Sequence, residues 1–170
     1  SSSSSSLVRS SYAKRDSLLY IQQVDIATQL APLKQDYDDH VIEKMFYGQA
    51  FGANTLFVGT YPTRTSLHFD RPLVDNLFHQ IVGKKRIRLW RPTQGVHFNM
   101  FKFPSQYAHV SKIVDIDYEA QQDNSDFAQS QLAVDLILNA GDSLYIPKGW
   151  FHQVSHVPGS LSISMNHWYY

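Results

Sequence analysis

His68 and Asp70 stand two residues apart in TSLHFD, and His152 lies far down the chain in GDSLYIPKGWFHQV. Two imidazoles and one carboxylate suit a divalent transition metal. Gathered on one side of the ion, they give the two-histidine, one-carboxylate arrangement of non-haem iron chemistry, which leaves the opposite side open for a cosubstrate and oxygen. On a strand, side chains two apart point the same way, so His68 and Asp70 can grip one ion while Phe69 packs outward. The third ligand must then come from a distant strand folded back beside the first. The spacing therefore predicts a fold as well as a metal. On its own it allows iron, manganese or zinc.

A second chemical feature is Lys85. Lys85, Ile87 and Leu89 share one face of a strand, and Arg86, Arg88 and Trp90 share the other. If the Ile–Leu face is interior, Lys85 carries its ammonium inward, and an unpaired buried charge is costly. No acid on an adjacent strand stands out as its partner, and a bound dicarboxylate would supply one. The alternative reading is that Lys85 snorkels to the mouth of the barrel.

The elements that must position these residues are short and mostly extended. The sequence of 170 residues fits one domain, and 43% apolar residues with ten Tyr, ten Phe and three Trp exclude a disordered chain. Residues 1–16, opening on six serines, read as a flexible tail or linker, and 17–170 as the folded domain. Strands are expected at 18–23, 55–60, 65–70, 77–82, 85–90, 134–138, 143–146, 152–157 and 161–168, with Gly83-Lys84 as a hairpin turn. A helix is expected over 32–46, from Pro at its first turn and Leu33, Tyr37, Val41 and Met45 about one turn apart. The polar, aromatic stretch 92–131 reads as an insertion over one end of the sheet. Many short strands with little helix predict an all-β double-stranded jelly roll with one or a few flanking helices. The chain stops at Tyr170 directly after a strand signal, as a fragment or a minimal domain would.

Taken in order, TSLHFD, Asn76 with Lys85 nine residues on, GDSLYIPKGWFHQV and SISMNHWYY resemble the Jumonji-C or cupin-like Fe(II)/2-oxoglutarate oxygenases. Within that group they look most like the protein hydroxylases typified by the asparaginyl hydroxylase of hypoxia-inducible factor. The resemblance runs from LLYIQQ at residue 18 to the C-terminus, outside the insertion. It implies that His68, Asp70 and His152 hold Fe(II), and that Lys85, helped by Thr65 and Tyr20, pairs with the distal carboxylate of 2-oxoglutarate. It further implies that Asn76 and Asn166 lie beside the cosubstrate, that Gln22 and Trp168 face substrate, and that O2 takes the last iron position. The spacing from His68 to Asn76 is longer here than in that enzyme. The C-terminal helices through which that enzyme dimerises have no counterpart, so the oligomeric state is left open.

The remaining histidines have plainer readings. His40 reads as a surface residue, His79 as packed or cavity-lining, His156 as sharing a face with His152 and Val154 without being a ligand, and His167 as facing away from the site. His97 and His109 fall in the insertion. Lys84–Arg91 is the one basic run, read as a solvated strand face. With fifteen basic and fifteen acidic residues in balance, the surface as a whole gives no electrostatic case for a nucleic-acid partner, and the Lys84–Arg91 run is the one feature that favours it. Cysteine is absent, which excludes thiolate sites and a cysteine nucleophile. No apolar run approaches the roughly 20 residues of a membrane-spanning helix. The expected partner is a protein or peptide, and the expected setting intracellular, cytoplasmic or nuclear. The competing readings are a methyl-lysine demethylase or modified-tRNA hydroxylase using the same iron site, a non-catalytic cupin binding module, and a zinc or manganese cupin.

Overall fold

The computed structural model describes residues 20–36, 54–123, 125–159 and 161–170. The Ser-rich stretch, most of the expected helix and His40 lie outside the described residues. Residues 31–36, where that helix was expected to begin, form a 3-10 turn.

Among the described residues eight strands follow in chain order: β1 (Tyr20–Asp25), β2 (Thr55–Gly59), β3 (Asp75–Val82), β4 (Lys84–Trp90), β5 (Leu132–Asn139), β6 (Ser143–Ile146), β7 (Phe151–His156) and β8 (Ser162–Tyr169). They form a five-stranded sheet in the order β1-β2-β8-β3-β6 and a three-stranded sheet in the order β5-β4-β7. Every pairing is antiparallel, as a jelly roll requires. Two four-residue helices join them among the described residues: α1 (Ile26–Gln29) after β1, and α2 (Ile116–Glu119) in the insertion. Among the described residues no helix is long and apolar enough to cross a membrane.

Period-two alternation decides which side chains meet between the sheets. On β4, Ile87 and Leu89 point inward and pack with Phe78, Leu138, Ile146 and Val154. Burying each such aliphatic chain stabilises the fold by about 1.5–3 kcal/mol. Inward residues at the other end of the same faces line a cavity instead, so one alternation builds both the core and the site.

Two expected features are corrected. Gly83-Lys84 does not make a hairpin, because β3 and β4 belong to different sheets. Gly83, at φ +72°, is the corner where the chain crosses from one sheet to the other. Residues 65–70 do not form a regular strand: the segment meets its neighbours only through isolated bridges at Arg64 and His68. The ladder is interrupted because the Thr65 side chain, not a carbonyl, accepts the Val154 N–H at 3.0 Å.

The insertion has its own small core on the outer face of the three-stranded sheet. There Trp90 and Phe151 pack against Phe98, Ile113, Ile116 and Phe127. The basic run is consequently not a solvated face throughout. Arg86 pairs with Asp135, but Arg88 is buried, donating to Asp117 on α2 and to Gln153 Oε1 at 2.7 Å. Removing the acid strands a buried guanidinium, so Asp117→Ala should cost roughly 1–3 kcal/mol, discounted because Asp117 is half exposed. Urea unfolding checks this: adding Arg88→Met to Asp117→Ala should recover most of the loss. A double variant no more stable than Asp117→Ala would show that the ion pair is not what anchors the insertion.

Candidate metal centre

His68 arrives on the irregular segment 64–70 and His152 on β7. The two backbones are tied in both directions, His68 N–H to the His152 carbonyl at 3.1 Å and His152 N–H to the His68 carbonyl at 2.7 Å. This pair brings the imidazoles to 4.3 Å between ring centroids. Each ring then has its tautomer fixed by the backbone. His68 Nδ1–H donates to the Ser66 carbonyl at 2.8 Å and His152 Nδ1–H to the Trp150 carbonyl at 3.2 Å. A carbonyl can only accept, so both Nε2 lone pairs are left to face Asp70, whose Oδ1 lies 4.0 Å from His68 Nε2 and 3.9 Å from His152 Nε2. Burial, and after it the neighbouring His152, push the His68 imidazole well below its ordinary pKa, which keeps it neutral.

Asp70 is itself held. Asn76 donates to its Oδ2 at 2.9 Å, and Asn166 donates to Asn76 Oδ1 at 3.0 Å. One carboxylate oxygen is therefore occupied and the other turned toward the histidines. The three donor atoms lie within 4.8 Å of one another, close enough to share one ion. Two imidazoles with Nε2 turned to one carboxylate oxygen, each braced from behind, are the donor set a divalent iron site needs.

These residues open into a cavity of about 370 Å³, whose wall includes Tyr20, Gln22, Thr65, Asn76, Lys85, Asn166 and Trp168 beside His68, Asp70 and His152. All ten residues singled out in the sequence thus share one space. Lys85 is fully buried and points inward, not to the mouth. Its Nζ bonds Ser164 Oγ at 2.6 Å and faces the rings of Phe78, Phe57 and Tyr20 at 5.3, 5.7 and 5.9 Å. Among the described residues it makes no ion pair. Burial lowers its pKa from 10.5 to about 7 and raises that of Tyr20 to about 12. Thr65 Oγ1 already accepts from Val154, which leaves its hydrogen free to donate into the cavity. The space matches a small dianion: a cation with hydroxyls at one end, two amides between, and metal donors beyond.

Sequence reasoning missed Ser164 and the bracing of Asp70. Ser164 was readable from β8, where Ser162, Ser164, Asn166 and Trp168 alternate onto one face, whereas the bracing needs Asn76 of β3 set against Asn166 of β8. It also missed Val110 of the insertion, which lines the same cavity beside Tyr107, a residue whose sequence reading was core or pocket lining. Of the other histidines, His156 is tied to Thr63 through Nδ1, with the Thr63 carbonyl and Oγ1 each at 2.9 Å. His79 and His167 pack edge to face, 5.1 Å between centroids, on the sheet face away from the cavity.

An antiparallel jelly roll holding two histidines and a braced aspartate over a buried lysine defines an oxygenase-type cupin architecture. The chain belongs to the cupin-like domain family, which it matches over residues 2–170. It is 27% identical to tRNA wybutosine-synthesizing protein 5 of Danio rerio over 131 residues, 77% of this chain and 36% of that protein. It is 29% identical to JmjC domain-containing protein C of Dictyostelium discoideum over 159 residues, 88% of this chain and 35% of that one. It is 33% identical to lysine-specific demethylase JMJ30 of Arabidopsis thaliana over 119 residues, 69% of this chain and 26% of that one. The chain thus spans about a third or less of the length of these relatives. The crystal structure of Escherichia coli ycfD has the same fold, with a TM-score of 0.50 at 16% identity, covering 88% of this chain and 33% of that one. JmjC-type oxygenases and demethylases in this family are Fe(II)/2-oxoglutarate-dependent enzymes.

Proposed function

We propose that this chain carries an Fe(II)/2-oxoglutarate-dependent hydroxylase centre acting on a protein side chain, as the asparaginyl hydroxylase of hypoxia-inducible factor does. The observation that carries this reading is Lys85, a buried ammonium without a carboxylate partner among the described residues, in the cavity that His68, Asp70 and His152 also line. A zinc or manganese cupin without a dicarboxylate cosubstrate has no use for it.

In this reading His68, Asp70 and His152 hold the iron, and Asn76 keeps Asp70 turned toward it. Lys85 and the hydroxyls of Ser164, Thr65 and Tyr20 receive the distal carboxylate, while Asn76 and Asn166 flank the body of the cosubstrate. When bound, iron with 2-oxoglutarate and O2 supplies the oxidation: one oxygen atom enters a substrate C–H bond and the other leaves in succinate, with CO2 released. The protein positions the reactants, keeps the His68 imidazole neutral and narrows the access of water. Gln22 and Trp168 line the same cavity and would meet the substrate.

The names of the relatives support a second reading with the same centre: hydroxylation of an N-methyl carbon, which ends in loss of the methyl group. Purified protein with Fe(II), 2-oxoglutarate and candidate peptides separates the two. The expected result is peptide-stimulated succinate formation and a peptide heavier by one oxygen. Loss of a methyl group would favour the demethylase, and turnover with RNA alone would overturn the protein-side-chain reading. No Fe(II)-dependent succinate at all would leave a binding module.

A further inference from the structure

The segment 91–112 contains no Asp or Glu, in a chain with fifteen acidic and fifteen basic residues. Part of it is a two-stranded excursion pinned to the metal centre. Lys112 N–H bonds the Asn99 carbonyl and Phe101 N–H the Val110 carbonyl, both at 3.0 Å. The far side of its base is bonded to the HxD segment: Ser111 N–H to the Leu67 carbonyl at 2.8 Å and Phe69 N–H to the His109 carbonyl at 3.1 Å. The tip extends into solvent beyond the cavity. Phe103 is 88% exposed there, Tyr107 is 53% exposed and lines the cavity, and Phe101 is partly exposed.

Cations surround these rings. Lys112 sits over Phe101 at 5.4 Å, Lys102 adjoins Phe103 in sequence, and Arg71 reaches the Gln106 carbonyl at 3.3 Å. Of the acids that follow in the insertion, the two nearest in sequence are paired, Asp115 with Arg64 and Asp117 with Arg88, and Glu119, Asp123 and Asp126 come later in the chain. Exposed aromatic side chains next to a reactive cavity mark an interaction surface, and an unopposed positive rim selects its complement.

We propose that the 99–112 excursion docks the substrate and selects an acidic peptide segment carrying apolar side chains. Aromatic rings take the apolar residues, and Lys102, Lys112 and Arg71 take the carboxylates. A nucleic-acid strand fits less well, since three cations fall short of the roughly 6–10 phosphate contacts that typically anchor one. What happens to the docked segment rests on the hydroxylase reading; docking itself does not.

The test is fluorescence anisotropy of the whole chain with dye-labelled 15-residue probes: one of Asp and Glu with Leu and Phe, one with Lys replacing the acids, and a single-stranded RNA. The acidic apolar peptide should bind at least about tenfold tighter than the basic one, and less tightly at high salt. Phe103→Ser should weaken it about tenfold. Lys102→Glu with Lys112→Glu should weaken it further and erase the preference. All three positions lie outside the core, and circular dichroism melts confirm folding. Equal affinity for the two peptides, preference for RNA, or indifference to Phe103→Ser would overturn the proposal. Peptide-independent 2-oxoglutarate decarboxylation is measured in parallel. Its loss with docking intact would sink the hydroxylase reading alone, and its presence without docking would sink this inference alone.

Discussion

Lys85→Met should yield a protein that melts at a higher temperature and binds 2-oxoglutarate far more weakly. The side chain is fully buried, and burial alone pulls its pKa from 10.5 to about 7. At about 1.4 kcal/mol per unit this corresponds to about 4–5 kcal/mol of destabilisation, an upper bound because the variant also gives up the bond to Ser164 Oγ. The sign follows from linkage. With the folded pKa below the unfolded one, the unfolded chain holds the extra proton between pH 7 and 10.5. The stabilisation on replacing Lys85 is thus complete below about pH 7 and fades as pH rises toward 10.5. Methionine matches the length of the stem and packs among Phe57, Phe78 and Tyr20 without desolvating a charge. Cosubstrate binding should move oppositely, falling roughly a hundredfold or more when the buried anion loses its cation. In the wild type a bound dianion raises the lysine pKa, so binding takes up a proton. Affinity should be level below about pH 7 and fall by up to about tenfold per unit above it, a slope missing from the variant. Thermal melts and 2-oxoglutarate titrations across pH 6 to 10 check both halves. A variant less stable than wild type, or one that keeps the pH slope, would remove Lys85 from the role given to it.

The stability that Lys85 forgoes explains why it was legible in the sequence. A lysine on the inward face of KKRIRLW, in line with Ile87 and Leu89, conflicts with its surroundings, and such conflicts concentrate at functional sites. The alternation of β4, β7 and β8 was readable for the same reason, because each face meets a different environment. Seven of the expected strands, from 55–60 to 161–168 and leaving aside 65–70, match observed strands within two residues at each end. What was not readable depends on partners distant in the sequence. Gly83 signals a turn, but whether the turn pairs its two strands or sends them to opposite sheets is decided by β8 and β6 competing for β3. Residues 65–70 have strand-like composition, yet the Thr65 hydroxyl takes the place of a carbonyl in the ladder, a choice invisible to periodicity. Arg88 looked like its solvated neighbour Arg86 until α2, a separate stretch of chain, brought Asp117 over it.

Asp70 offers the sharpest separation between holding a metal and positioning what holds it. One of its oxygens is engaged by Asn76 and the other faces both histidines, so substitutions can address the two ends independently. Asp70→Asn keeps an acceptor for Asn76 Nδ2 but removes the negative charge and can turn an amide N–H toward the imidazole lone pairs. Iron affinity and Fe(II)-dependent succinate formation should fall to background, with little change in stability. Asn76→Ala leaves all three donors in place and frees Asp70 to rotate. Metal affinity should then fall roughly 10–100-fold, the usual range for losing a group that orients a ligand. It should also cost about 1–3 kcal/mol of stability, because Asn166 Nδ2 loses its buried acceptor. Fe(II) or Mn(II) binding by calorimetry, with urea unfolding of each variant, gives both axes. The signature of the arrangement is the crossing of the two effects: the conservative change at Asp70 destroys metal binding and spares the fold, while the change at Asn76 weakens both. If Asp70→Asn retained wild-type iron affinity, the carboxylate would not be a ligand, and the two histidines would have to find their third partner elsewhere.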